Sequence, residues 1–410
     1  MNNRKITVIA ALLLAMPLAA AAQNRLLPAS PDDQVPTRLQ AMTSARSVAA
    51  TLDRAPAAMA WALAPDAALD ARPQVHIAES REYWIDASAD DLKRGLVLST
   101  TAKGALVRLS PHGGDATMAI APADISVRAN GQLHAGKDAL RSVANADELA
   151  AAGMDAPGGT LVFKLADEVG AGRIELVAAN ARSAFLVHVF EPNSEVVLAL
   201  SAERDNVLAG ETIRFRAHMQ GGGSIDQLAG SVRAPGGEAM DVSFTRQADG
   251  SFVALAKPDA AFAGQQGLWE LHVFGQARKD SLDVQRDART AFGVAVASAR
   301  FDGSIEQVRR SARTNNGLTL RLGVEVADAS RYQIAGVLYA TDAGGRLKPA
   351  AIAHAAAWLD AGVGTIELGF DANTLAASGL RAPYELRDLR LINQADMSLV
   401  ERRERAAALR

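Results

Sequence analysis

The sequence predicts a mainly β chain with some α: an N-terminal α+β module, then an immunoglobulin-like β-sandwich, then a C-terminal β module. Three observations carry that reading. Between Asn193 and Ala297, seven short β-type runs follow one another at spacings near ten residues, which suits a sandwich better than any α/β pattern. Within them, Ile213, Phe215 and Ala217 alternate with Arg214, Arg216 and His218, the period of two expected of a sheet with one wet face. Spacing of three and four residues, the mark of an amphipathic helix, is sustained over one long stretch only, Arg38 to Leu63.

Taken in order, the chain opens with an export signal. Arg4 and Lys5 precede an apolar run from Ile6 to Leu18, and Ala20-Ala21-Ala22 supplies the small residues of a cleavage site before Gln23. Residues 1–22 are therefore expected to be a signal peptide cut between Ala22 and Gln23. The apolar stretch is too short to favour a retained anchor, and nothing after it offers about 20 consecutive apolar residues, so no membrane span is expected after cleavage. Residues 23–37, with Pro28, Pro31 and Pro36, suit an irregular leader.

Residues 38–192 form the expected α+β module. Leu39, Met42, Ala45, Val48 and Leu52, then Met59 and Leu63, predict one or two helices broken at Pro56. Ser88 to Asp91 has the form of a capping box opening a one-turn helix that stops at Gly95. Ala139 to Ala151 is expected as a further short helix, among strands at Leu96–Ser99, Ala105–Leu109, Thr160–Leu165, Arg173–Ala178 and Phe185–Val189. Residues 193–297 are the expected sandwich, punctuated by Gly221-Gly222-Gly223, Pro235-Gly236-Gly237 and Asp249-Gly250. Residues 298–400 repeat the texture. There Ile352 to Leu359 fits either period and is read as strand because its neighbours are strands. Residues 401–410 read as a charged tail, helical or frayed.

Composition removes several chemistries. The chain has no cysteine, which excludes thiol nucleophiles, thiolate zinc sites, iron-sulfur clusters and disulfides, and with Gln23 after the cut also excludes cysteine-linked lipid anchoring. A formal charge of −3 with interspersed signs carries no nucleic-acid footprint. The seven histidines, at 76, 112, 134, 188, 218, 272 and 354, never approach the local spacing of a zinc motif.

The remaining candidates each have an ordinary explanation. Asp86, Ser88 and Asp90 copy the first three ligands of a calcium loop, but Asp91 stands where glycine is needed and Val97 where the closing glutamate belongs, so a capped helix explains them better. Ser224, Ser251 and Ser304 sit beside glycine without a Gly-x-Ser-x-Gly elbow, and Gly170-Ala-Gly172 and Gly362-Val-Gly364 lack the third glycine of a phosphate loop. Arg278-Lys279-Asp280, with Asp283, Arg286, Asp287 and Arg289, is the densest mixed-charge stretch and is expected to be a solvated strand edge rather than a site for an acidic or sugar partner. Trp61, Trp84, Trp269 and Trp358 all lie in apolar contexts, where core packing is the expectation.

Four stretches together resemble a bacterial exported family known as domain of unknown function 4785. They are Gly104 to Pro111 (GALVRLSP), Val187 to Ser194 (VHVFEPNS), Gly267 to Val273 (GLWELHV) with Arg286 to Phe292 (RDARTAF), and Gly336 to Asp342 (GVLYATD) with Ala382 to Asp388 (APYELRD). None is a catalytic signature. The resemblance implies a multi-module β fold and brings no mechanism and no functional residues.

No catalytic, cofactor-binding or metal-binding residue is therefore assigned, and no cofactor. The sequence is read as an exported protein, periplasmic or extracellular, whose β modules bind an envelope or extracellular macromolecule without catalysis, and not nucleic acid. Two alternatives stay open: a secreted hydrolase of polysaccharide or peptide with carboxylates gathered from several modules, and a periplasmic assembly factor, which an unpaired strand edge would mark.

Overall fold

A computed structural model of the chain describes residues 25–42, 51–69, 75–263, 265–308, 314–315 and 317–409. The expected signal peptide, with Ala22 and Gln23, lies outside the described residues, as does the central part of the expected helical stretch, 43–50. Buried side chains collect into three large clusters along the chain, from Tyr83 to Val189, from Leu198 to Phe292 and from Ala299 to Leu409, which define a first, second and third unit.

The first unit packs two antiparallel sheets. One runs in the order Glu82–Ala87, Phe185–Phe190, Leu106–Pro111, Leu161–Leu165, Leu140–Asn145; the other in the order Leu96–Thr100, Gly172–Ala178, Ile125–Ala129, Gln132–Ala135. Alternation decides which face turns inward: Phe185, Val187 and Val189 are buried while Leu186, His188 and Phe190 are only partly so. The capping box is present, with Ser88 accepting from the Asp91 N–H and the Asp91 carboxylate accepting from the Ser88 N–H, over the helix Ala89–Arg94. The helix expected over Ala139–Ala151 is shorter. Leu140–Asn145 is strand, and helix begins at Ala146, where Asn145 and Glu148 cap each other.

The second unit is one nine-stranded sheet, in the order Asn206–Leu208, Leu282–Ala295, Trp269–Lys279, Ser224–Arg233, Ala239–Arg246, Phe252–Ala256, Ile213–Gln220, Val197–Ala202, Ile77–Ser80. Its two halves face each other over a shared core, where Phe215 meets Phe292 edge-on at 5.3 Å. Ile213, Phe215 and Ala217 point into that core and Arg214 and Arg216 out of it. Glycine is required at the turn after Ile213–Gln220. Gly221 sits at φ 77°, and a Cβ there would fall 2.0 Å from the Glu195 carbonyl oxygen.

In the third unit a five-stranded sheet, ordered Ala57–Ala62, Leu347–Leu359, Ser330–Thr341, Arg381–Asn393, Ser398–Leu409, packs on a three-stranded one of Ala299–Val308, Leu318–Val326 and Gly362–Phe370. The stretch Ile352 to Leu359 is strand, as its neighbours suggested.

Two expectations are corrected here. Met59 and Leu63 do not belong to a helix: Ala57–Ala62 is an edge strand running antiparallel to Ala351–Ala356. Alanine-rich sequence favours helix in isolation, but four of the six facing residues are also alanine, so close flat pairing with a sheet already in place prevails. Of the charged end expected at 401–410, the described residues Glu401–Leu409 are not a tail. They lie in the twelve-residue strand Ser398–Leu409, and Glu401 is fully buried, accepting from the Phe301 N–H at 2.7 Å and from Arg403 Nε at 2.6 Å. Internal ion pairing makes a charged sequence compatible with a closing strand.

The residues before Glu82 tie the units together. The leader bridges the third unit through Arg25 to Ser304 and Gln34 to Arg402, Ala57–Ala62 joins the third unit's sheet, and Ile77–Ser80 joins the second unit's sheet.

Candidate functional site

The densest buried polar arrangement lies where the first unit meets the second. Val284, Arg286 and Ala288 occupy alternate, buried positions of the strand Leu282–Ala295. Arg286 lies between Val284 and Ala288 on that face, and its Nη2 lies 2.8 Å from Glu191 Oε1, with both side chains fully buried. Arg286 also donates to the Val196 carbonyl at 3.0 Å, Ser194 Oγ at 3.0 Å and Thr101 Oγ1 at 3.1 Å. Glu191 Oε2 accepts from the N–H groups of Thr101 and Ala102. An ion pair removed from water is tolerable only when its remaining donors and acceptors are met in this way.

Asp287, on the opposite face of the same strand, is buried as well, because Trp84 and Ser80 cover it. Its Oδ2 accepts from the Trp84 N–H at 2.9 Å, Gln285 Nε2 donates to the Trp84 carbonyl at 3.2 Å, and Ser80 Oγ donates to the Asp287 carbonyl. Two side chains two residues apart thus hold both backbone groups of one tryptophan. The Trp84 ring stacks on His188 at 4.6 Å, Arg289 lies over it at 5.1 Å and His272 approaches edge-on at 6.1 Å. His188 Nε2 is 2.8 Å from Glu82 Oε2.

Three buried atoms here lack hydrogen-bond partners: Asp287 Oδ1, His272 Nε2 and Glu191 Oε1, the last of which Arg286 Nη2 meets as an ion pair and not as a hydrogen bond. Burial pushes the Asp287 carboxyl up to about 6, and burial with the charges of Arg289 and Arg233 pushes the His272 imidazole down to about 4. The mixed-charge cluster is therefore corrected in part. Arg278 and Asp283 do form an exposed pair at 3.3 Å, whereas Arg286 and Asp287 are joint residues rather than a solvated edge. Sequence reasoning missed Glu191 and Thr101, which come from strand ends distant in sequence and carry no local signal.

The other candidates are dispersed. Asp86 pairs with His112 at 3.0 Å, and Asp90 with Lys93, so the calcium-like oxygens do not converge. Ser251 and Ser304 donate to Asp249 and Asp302 at 2.6 Å within tight turns. Among the described residues, no group of three or more histidine and carboxylate side chains is placed to hold a metal, and no helix is long and apolar enough to cross a membrane. A cleft of about 220 Å³ lies between the leader and the second and third units, lined by Asp32, Gln34, Asn206 and Arg402 among others.

The tryptophans divide. Trp269 is a core residue at 3% exposure, and Trp358 lies beneath Arg54 at 4.2 Å. Trp61 is corrected: it is 49% exposed on the edge strand, beside Met59 at 54%. Among the described residues that strand pairs on one side only, and its second edge carries no strand.

These features define a class: a mainly β protein of several units whose buried charges join one unit to the next. The chain belongs to the DUF4785 family. Family models described as the N-terminal and C-terminal domains of domain of unknown function DUF4785 match residues 48–191 and 298–410. A crystal structure of a DUF4785 family protein from Legionella pneumophila is similar over 93% of this chain and 98% of that one, with 20% identity and a TM-score of 0.70. The native conformation of Escherichia coli alpha-2-macroglobulin is matched over 81% of this chain and 20% of that one, with 11% identity and a TM-score of 0.26. No curated protein matches the sequence.

Proposed function

We propose that this is an exported, non-catalytic protein of the cell envelope or secretome whose β units act as one rigid body to bind a macromolecular partner. The observation that carries the reading is the junction itself. The Glu191–Arg286 pair and the Asp287 and Gln285 hold on Trp84 fix two units against each other, and rigid units joined in series present loops and edges in constant relation. In this reading residues 193–297 are an immunoglobulin-like sandwich between the parts 38–192 and 298–400, which is supported by the two facing halves of the second unit's sheet.

Export rests on residues 1–22 and is tested by fractionating the producing cell. The mature chain, beginning at Gln23, is expected outside the cytoplasm, and replacing Arg4 and Lys5 with glutamate should retain it. Pull-down from envelope and medium fractions tests binding. Recovery of the bait alone from all of them would count against a binding role. A periplasmic assembly factor is the second reading, favoured by the open edge of Ala57–Ala62, because such factors hold client strands at an unpaired edge.

A further inference from the structure

The third unit treats its strand edges unequally. On the three-stranded sheet, the outer strand Ala299–Val308 is bridged by the leader, with Arg25 opposite Ser304 and the Leu26 N–H donating to the Gly303 carbonyl. On the five-stranded sheet, Ser398–Leu409 is covered by the same leader through Gln34 and through the Leu27 N–H to the Ala406 carbonyl. The other edge of that sheet, Ala57–Ala62, makes no backbone hydrogen bond on its outer side among the described residues. Its sequence, AAMAWA, has no charge and no proline, and five of its six residues are exposed. Edge strands in proteins that stay apart ordinarily carry a lysine, a proline or a bulge to prevent pairing, and this one has none.

We propose that this edge pairs antiparallel with the same strand of a second copy about a two-fold axis at Ala60, joining two five-stranded sheets into one. The inference goes beyond the binding reading above and does not depend on it. In an antiparallel pair, opposed residues share a face. A two-fold at Ala60 sets Met59 opposite Trp61 of the second copy, and Trp61 opposite its Met59, while Ala58 and Ala62 face each other on the opposite side. Thioether against aromatic ring is a favourable pair, and both side chains are already exposed on this edge.

Charge does not oppose the same register. Exposed Asp53 and Arg54 stand side by side before the strand and exposed Asp66 after it, and the axis at Ala60 sets each Arg54 at the level of the other copy's Asp66, with Arg54 held above Trp358 at 4.2 Å. The two-fold closes the contact, so each copy uses its open edge once and no fibre grows.

Sedimentation velocity of the mature chain over a wide concentration range reads the dimer directly. Met59→Lys with Trp61→Lys, both changes at exposed positions, should raise the dissociation constant by about a hundredfold or more while leaving circular dichroism and melting unchanged. The cysteine-free chain allows a second readout. Ala60→Cys places two thiols across the axis, where opposed Cα atoms lie about 4.5–5.5 Å apart, within disulfide reach. Mild oxidation should link Ala60→Cys rapidly and leave Leu133→Cys, at a site 64% exposed in the first unit, largely monomeric. A chain that is monomeric throughout, with the two cysteine variants linking equally slowly, overturns the proposal; so does a dimer indifferent to the lysine pair.

Discussion

Arg286 and Glu191 illustrate how a residue that looks like surface chemistry becomes structure. Each satisfies the other's charge in a place without water, so removing either leaves an uncompensated ion among fixed dipoles. Glu191→Gln and Arg286→Met, each made alone, are expected to destabilise the junction by about 3–5 kcal/mol. The double variant is expected to recover part of that loss, which urea unfolding of all three proteins will measure.

Asp287 and His272 give a sharper test because they titrate in opposition. The Asp287 carboxyl, at about 6 in the folded chain against 3.8 ordinarily, makes the folded state bind the extra proton, so its contribution to stability falls as pH rises through that window. His272, at about 4 against 6.5, leaves the unfolded chain binding the extra proton, so its contribution rises with pH. The two slopes largely cancel between pH 4 and 6. Asp287→Asn, which keeps an acceptor for the Trp84 N–H, should uncover the rising slope and gain about 2 kcal/mol at neutral pH. His272→Phe should uncover the falling one. Parallel curves for wild type and both variants would refute the opposition.

Among elements, the strands were legible wherever one face is wet, since alternation is then written into the sequence, as in Ile213–Gln220. The short helices at Ala89 and Ala146 announce themselves through their caps, though the second starts later than spacing alone suggested. Ala57–Ala62 and the Glu401–Leu409 part of the last strand were not legible, for opposite reasons. The first has helix-forming composition, and the second has surface composition, yet each is paired by a neighbouring strand. The C-terminal strand is therefore a structural necessity: it covers Leu386, Leu389 and Leu391 beside Arg381–Asn393. Truncation after Asp396 should abolish folding of the third unit, seen as rapid proteolysis of residues beyond about 298, while the first two units keep their transition. An unchanged proteolytic pattern would mean that the strand is dispensable.

At the scale of the molecule, the segment before Glu82 makes the units one body. The leader, an edge strand of the third unit and an edge strand of the second are supplied by one short stretch of chain. Replacing Leu26 and Leu27 with serine should loosen the third unit and raise amide exchange selectively along Ala299–Val308 and Ser398–Leu409, because the leader caps both edges. Equal exchange across all three units would show that the leader has no such role.

The amino-acid sequence by itself determined the β character, the absence of thiol chemistry, the family and the expectation of export, because composition, alternation and short motifs are local properties. Only the tertiary structure decided which charges are buried, which strands lie at edges and which tryptophan stays exposed. Those depend on residues far apart in sequence, such as Glu191 with Arg286, Trp84 with Asp287 and Glu401 with Phe301, meeting where water is excluded.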